Sequence, residues 1–315
     1  MRARVDPSLL IERAHTGDRG AVAKLISLVE HGGSDARAVA ASLHAYAGNA
    51  WSIGITGAPG AGKSTLTDRL VGLIRAQGET VGVLAVDPSS PFSGGAILGD
   101  RVRMQEHATD PGVFIRSMAT RGHLGGLAVA TPQAARVLDA IGTPWIMIET
   151  VGVGQVEVEI AGHADTTVVV VNPRWGDGVQ AAKAGLLEVA DVFVVNKADR
   201  PGSRDTVRDL EGMLELAGAM DWSPPVVCTT ATSGDGVAEL WDAIGRHRSH
   251  LEASGGAAAR RRDRLRAEVR TIVAERLLEA ADAACRGDAF DALLDELAAG
   301  DRNPYDVADA LLDER

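Results

Sequence analysis

Two periodicities divide the chain. Across residues 8–46 apolar positions recur at three- and four-residue intervals, as in Leu9/Leu10, Ala14, Ala21/Val22, Leu25/Ile26 and Val29. Breaks at Thr16-Gly17-Asp18 and His31-Gly32-Gly33 punctuate the pattern, which predicts a helical preface. From Trp51 onward, short β-branched runs alternate with longer amphipathic stretches, each pair spanning roughly 30 residues as βα units require. The runs predict strands at 51–56, 80–86, 113–117, 145–148, 167–171, 192–196 and 226–229, several of them apolar throughout and suited to burial on both faces. Helices are predicted at 63–77, 133–141, 179–189, 204–217 and 237–245. The fold class is therefore α/β, a mostly parallel sheet flanked by helices.

After His250 the stretch EASGGAAARRR reads as a linker, followed by Leu265, Val269, Ile272/Val273, Leu277 and Ala280/Ala281 on a charged helix. This divides the chain into a helical extension (1–50), an α/β domain (51–250) and a C-terminal helical arm (251–315). The arm's apolar positions fit packing on its own domain or a subunit interface.

Composition narrows the classes of function. The 315 residues are 45% apolar and 24% charged, as in ordinary folded proteins. Lys and Arg number 32 against 43 Asp and Glu, a net charge of −11 that repels a polyphosphate backbone, so no nucleic-acid partner is expected. Cys228 and Cys285 are far apart without Cys-x-x-Cys spacing, which argues against a disulfide framework and for a reducing, cytoplasmic setting. No leader-like apolar region and no run near the ~18 residues of a spanning helix is present, so no membrane partner is expected. His107, His123 and His163 lack metal-ligand spacing. With aromatics at 3% and 36 glycines, Val, Leu, Ile and Ala must fill the core, and the position of the glycines becomes informative.

Gly57-Ala58-Pro59-Gly60-Ala61-Gly62-Lys63-Ser64 satisfies G-x-x-x-x-G-K-[ST] between a predicted strand and a predicted helix. Glycines there let backbone N–H groups curl around phosphate oxygens at a helix N-terminus. Lys63 adds a full cation, and Ser64 offers a hydroxyl to Mg²⁺. Asn196-Lys197-Ala198-Asp199 follows the apolar run VFVV in the N-K-x-D arrangement. Its last carboxylate accepts the paired N1–H and 2-amino donors of guanine, and adenine lacks that pair. A site built around such a pair rejects the wrong base by roughly 10⁴-fold. Downstream, Thr229-Thr230-Ala231-Thr232 is either a structural turn or the turn whose backbone N–H approaches the guanine carbonyl.

Glu149-Thr150-Val151-Gly152 has the [DE]-x-x-G form, an acid near Mg²⁺ and a glycine N–H near the γ-phosphate. Asp87 and Asp100 each read as a helix N-cap or as a further carboxylate at the carboxyl end of the sheet. Gln155 orients a water or caps a helix. Arg116, Arg121 and Lys183 neutralise transition-state charge or are simply solvated. The run Arg260-Arg261-Arg262-Asp263-Arg264 reads as a solvated helix face.

Taken in order, GAPGAGKST, AVDPSSPFSGGAILGDRVRM, SMATRGHLGGLA, ETVGVGQ, PRWGDGVQAAKAG and NKAD resemble the methylmalonyl-CoA mutase-associated GTPases, the MeaB/ArgK family of P-loop NTPases. The resemblance covers most of residues 5–250. It implies a GTP hydrolase, slow alone and partner-stimulated. Such a protein acts as chaperone to an adenosylcobalamin-dependent methylmalonyl-CoA mutase, coupling GTP turnover to cofactor loading or to rejection of damaged cofactor. It implies that the block 57–65, including Thr65, holds GTP or GDP together with Gly152, Asn196, Lys197, Asp199, Thr230, Ala231 and Thr232. Ser64, Asp87, Asp100 and Glu149 surround Mg²⁺, and Lys63, Glu149 and Gln155 serve the chemistry. It also implies that the segment from Pro173 to Lys183 signals to the mutase and that the arm makes a homodimer. Two other activities use the same loop: a P-loop kinase, for which no acceptor pocket is legible, and a metal-insertion chaperone, whose His/Cys sites are absent from the sequence.

Overall fold

In a computed structural model of the chain, the described residues are 6–87, 104–107, 109–119, 130–150, 162–173, 188–216, 218 and 220–313. The chain divides into two compact units, residues 1–264 and 265–315.

The first unit opens with three helices, α1 (Pro7–His15), α2 (Arg19–His31) and α3 (Gly33–Leu43). The signals that start and stop them are local. Asp6 accepts from the Ser8 N–H at 2.9 Å ahead of Pro7, and Asp18 accepts from the Ala21 N–H at 3.1 Å while Arg13 bonds the other oxygen of the same carboxylate. Gly32, at φ 71°, ends α2 and opens α3.

Seven strands follow: β1 (Trp51–Gly57), β2 (Val81–Asp87), β3 (Val113–Ala119), β4 (Trp145–Thr150), β5 (Thr166–Val171), β6 (Val192–Asn196) and β7 (Val226–Thr229). They form one parallel sheet in the order β3-β2-β4-β1-β5-β6-β7. All seven predicted strands are present, within two residues at each end. Between them lie α4 (Lys63–Ala76), α5 (Ala130–Ala140), α6 (Ser203–Leu216) and α7 (Val237–Ser254). The predicted helix at 179–189 falls mostly outside the described residues.

Because side chains alternate along a strand, each strand feeds two layers. Ile53, Ile55, Val83, Met147, Val168, Val170 and Val194 pack with α4 and α7. On the other face Leu84, Val86, Ile146 and Ile148 pack with α1–α3 and α5, while Val169, Val171, Phe193 and Val195 pack with α6. The N-terminal helices are therefore part of the sheet's covering layer.

Two expectations are corrected. The stretch after His250 is not a linker: α7 runs to Ser254, a single Gly255 at φ 73° interrupts it, and α8 (Gly256–Ala284) begins at once. Nor is the arginine run a solvated face. Arg260 grips Asp191 with both nitrogens at 2.7 and 2.8 Å, Arg264 bonds Asp165 at 2.5 Å, and Arg261 reaches the Ala50 carbonyl at 3.0 Å. Asp165 and Asp191 immediately precede β5 and β6, at the sheet edge opposite the phosphate loop. Fully buried His247 of α7 has its ring nitrogens 2.9 Å from the Thr166 hydroxyl and 3.1 Å from Asp191. Burial pushes both carboxyls up, but Arg264 for Asp165, and His247 with Arg260 for Asp191, outweigh it and hold them below the usual 3.8. Sequence patterning misses these contacts because the partners are 56 to 211 residues apart.

The second unit contains the rest of α8 with α9 (Asp288–Ala299) and α10 (Pro304–Asp313).

The depressed carboxyls set the acid behaviour. The unfolded chain binds more protons than the folded one at low pH, so their stabilisation is complete above about pH 5 and is lost as pH falls through 3.8 and below. Asp191→Asn is expected to cost about 2–3 kcal/mol at pH 7, less than a wholly buried pair because Arg260 is partly solvated. It should also flatten the acid limb of the stability curve, as measured by urea unfolding at a series of pH values.

Candidate functional site

The site lies at the carboxyl ends of β1, β4, β6 and β7, where ligands bind in open α/β sheets. β1 ends at Gly57 and α4 starts at Lys63, with the glycine loop between them. Two of its glycines are required by contact as well as by dihedral. A Cβ on Gly57 (φ 129°) would lie 2.0 Å from the Val170 carbonyl oxygen, and one on Gly62 (φ 94°) 2.3 Å from the Asn196 amide nitrogen. The loop thus presses against β5 on one side and the Asn-Lys-Ala-Asp turn on the other.

The two loops are tied by side chains. The amide of Asn196, 2% exposed, donates to the Ala61 carbonyl at 2.8 Å. Its oxygen accepts from the Thr229 hydroxyl at 3.0 Å and the Ala231 N–H at 3.1 Å. Lys197 donates to the Gly60 carbonyl at 2.6 Å from a left-handed backbone (φ 59°), and the Ala198 N–H donates to the Thr229 carbonyl at 3.0 Å. Asp199, two residues on, is exposed at the rim. Residues 196–199 and 229–232 therefore form one surface beside the glycine loop.

Lys63, buried at the head of α4, places its ammonium on the Gly57 and Ala58 carbonyls at 2.6 and 3.0 Å. Beside it the Ser64 hydroxyl donates to Glu149 Oε1 at 2.5 Å, with both residues buried. The longer side chain of Glu brings its carboxylate from the end of β4 to the first turn of α4. A buried hydroxyl next to a carboxylate is a hard-oxygen donor set, and it suits Mg²⁺ better than a soft metal.

Asp87 is the last residue of β2, on the same edge of the sheet as Glu149: Ala85 pairs with Glu149, and Val86 with Thr150. Asp100, Gly152, Gln155, Arg121, Lys183 and His123 lie outside the described residues, as does the segment 174–183. Arg116 is not placed for catalysis. It bonds Glu30 and Ser27 of α2, locking the helical layer to β3. Among the described residues no trio of His, Cys, Asp or Glu is grouped to hold a metal, and no helix is long and apolar enough to cross a membrane.

Residues 22–286 match the model of the methylmalonyl Co-A mutase-associated GTPase MeaB. The chain belongs to that family. It is 51% identical over 309 residues to a putative GTPase of Pyrococcus abyssi, covering 97% of this chain and 95% of that one. It is 38% identical over 256 residues to the GTPase ArgK of Escherichia coli, covering 78% and 77%. A crystal structure titled LAO/AO transport system kinase superposes with a TM-score of 0.71 at 26% identity, over 99% of this chain and 98% of that one. The parallel sheet and flanking helices are thus those of a P-loop GTPase.

Arg69 went unnoticed in the sequence. From the second turn of α4 it donates to the Ala231 and Thr232 carbonyls, each at 3.0 Å. An arginine six residues after the loop lysine looks like any exposed helical position, and only the fold shows what it faces.

Proposed function

We propose that this GTPase binds GTP with Mg²⁺ and hydrolyses it slowly to GDP and phosphate. It serves as a chaperone whose nucleotide state gates cofactor loading on an adenosylcobalamin-dependent methylmalonyl-CoA mutase. The observation that carries the nucleotide reading is the pair of straps, Asn196 to Ala61 and Lys197 to Gly60. They hold a phosphate-cradling loop and an exposed base-reading carboxylate as neighbours. The mutase reading rests on the family.

In this reading the N–H groups of residues 58 and 60–65 and the Lys63 ammonium receive the phosphates, the latter by exchanging loop carbonyls for phosphate oxygens. Ser64 and Glu149 hold Mg²⁺, joined by Asp87 and Asp100; when bound, the ion neutralises charge on the phosphates. Asp199 reads the two guanine donors, Thr230, Ala231 and Thr232 frame the 6-carbonyl, and Gly152 meets the γ-phosphate. Gln155 orients the attacking water. The slow basal rate that a partner raises rests on the family. Nucleotide and mutase then bias each other's binding by the same factor, typically ~1–3 kcal/mol.

Leu265, Val269, Val273 and Leu277 recur every four residues along α8 and are each about half exposed or more. This stripe supports the reading of the C-terminal unit as a homodimer contact. Sedimentation should show a two-chain particle, converted to one chain by Val269→Glu with Val273→Glu; a wild-type monomer would exclude the contact.

Asp199→Asn should weaken GTP by at least about tenfold and favour xanthosine triphosphate, whose 2-oxygen needs a donor. Isothermal titration with both nucleotides checks this, and unchanged GTP binding would place base reading elsewhere. Turnover of GTP labelled at the γ-phosphate should rise by at least about tenfold on adding the mutase, with all label released as inorganic phosphate. No stimulation would remove the chaperone reading, and label on an acceptor would favour a kinase.

A further inference from the structure

Arg69 joins the helix that begins at the phosphate loop to the turn that follows β7, through one guanidinium and two successive carbonyls. We infer that Arg69 is a specificity-positioning residue: it sets the orientation of the Ala231–Thr232 backbone that meets the 6-carbonyl of guanine. The inference rests on the guanine-nucleotide reading above and adds to it a residue outside all of the nucleotide motifs.

The argument is geometric. A peptide is planar and trans, so fixing the direction of a carbonyl fixes the following N–H to point the opposite way. Nε holds the Ala231 oxygen and Nη2 the Thr232 oxygen, both at 3.0 Å, so the peptides on either side of Thr232 are set relative to α4. From beneath, Asn196 accepts the Ala231 N–H, and the Ser233 N–H donates to the Thr230 carbonyl at 3.0 Å. Asn196 thus anchors the turn's depth, while Arg69 supplies the only side-chain bonds from α4 to it among the described residues. Without Arg69 the 231–232 carbonyls would hydrate and the peptides could rotate, leaving the Asn196 strap intact. A guanidinium suits this task because its donors are fixed in one plane, whereas a lysine ammonium cannot span two carbonyls with the same rigidity.

The exposed position on a helix makes Arg69→Ala safe for folding, and Ala is the better helix former. The test compares GTP with 6-thioguanosine triphosphate, which keeps both donors facing Asp199 and changes only position 6, where sulfur is a weaker and larger acceptor than oxygen. Wild-type protein should prefer GTP by about fivefold, the worth of roughly one neutral hydrogen bond. In Arg69→Ala that preference should fall to near one, through weaker GTP binding with the thio analogue little changed. Arg69→Lys should recover only part of it. Equal weakening of both nucleotides, an unchanged ratio, or no wild-type preference would each overturn the assignment. A wild-type chain that does not prefer GTP to ATP would instead sink the underlying nucleotide reading, a result that does not depend on any Arg69 variant.

Discussion

A single buried amide organises the working end of this molecule. Asn196 spends its donor on Ala61 and its acceptor on Thr229 and Ala231, so the phosphate loop, the end of β6 and the turn after β7 share one fixed point. In a site excluded from water each of these bonds is worth more than at the surface, and losing one would strand a polar group. Neither a carboxylate nor a hydroxyl could replace it, because the position requires a donor and an acceptor on the same planar group. Gly62 is the complement of this arrangement, its missing Cβ making room for the amide.

The parallel sheet is legible in the sequence because its strands are short β-branched runs buried on both faces. The glycine loop was readable because phosphate binding imposes residue types at consecutive positions. Contacts between residues far apart in the chain are not legible in this way. The motif gives no hint that the Asn196 amide also straps the two loops together. Arg116 looked free to meet a ligand but meets Glu30. Arg260 and Arg264 lie in a run that resembles a charged surface, and the carboxylates they answer precede strands far back in the chain. Neighbouring residues reveal local geometry and hydrophobic phase, whereas a buried ion pair is defined by two positions that the sequence does not connect.

The two edges of the sheet have opposite electrostatic designs. At the carboxyl edge, Lys63, Asn196 and Lys197 bond the carbonyls of the glycine loop. At the amino edge, two aspartates are almost wholly buried and answered by three arginines and a histidine. Charges so placed contribute less to net stability than their number implies, since desolvation opposes them.

The packing of α1–α3 in one apolar layer with α5, β2 and β4 bears on how the nucleotide domain should be delimited. Leu84, Val86, Ile146 and Ile148 share one continuous apolar layer with Leu25, Ile26, Val29 and Val39. A fragment trimmed to begin at the first strand would bare to water the part of this layer that α1–α3 cover, including the face of α5 they pack on, and aggregation would then mask its chemistry. The smallest piece worth expressing includes what looks, on paper, like a dispensable leader.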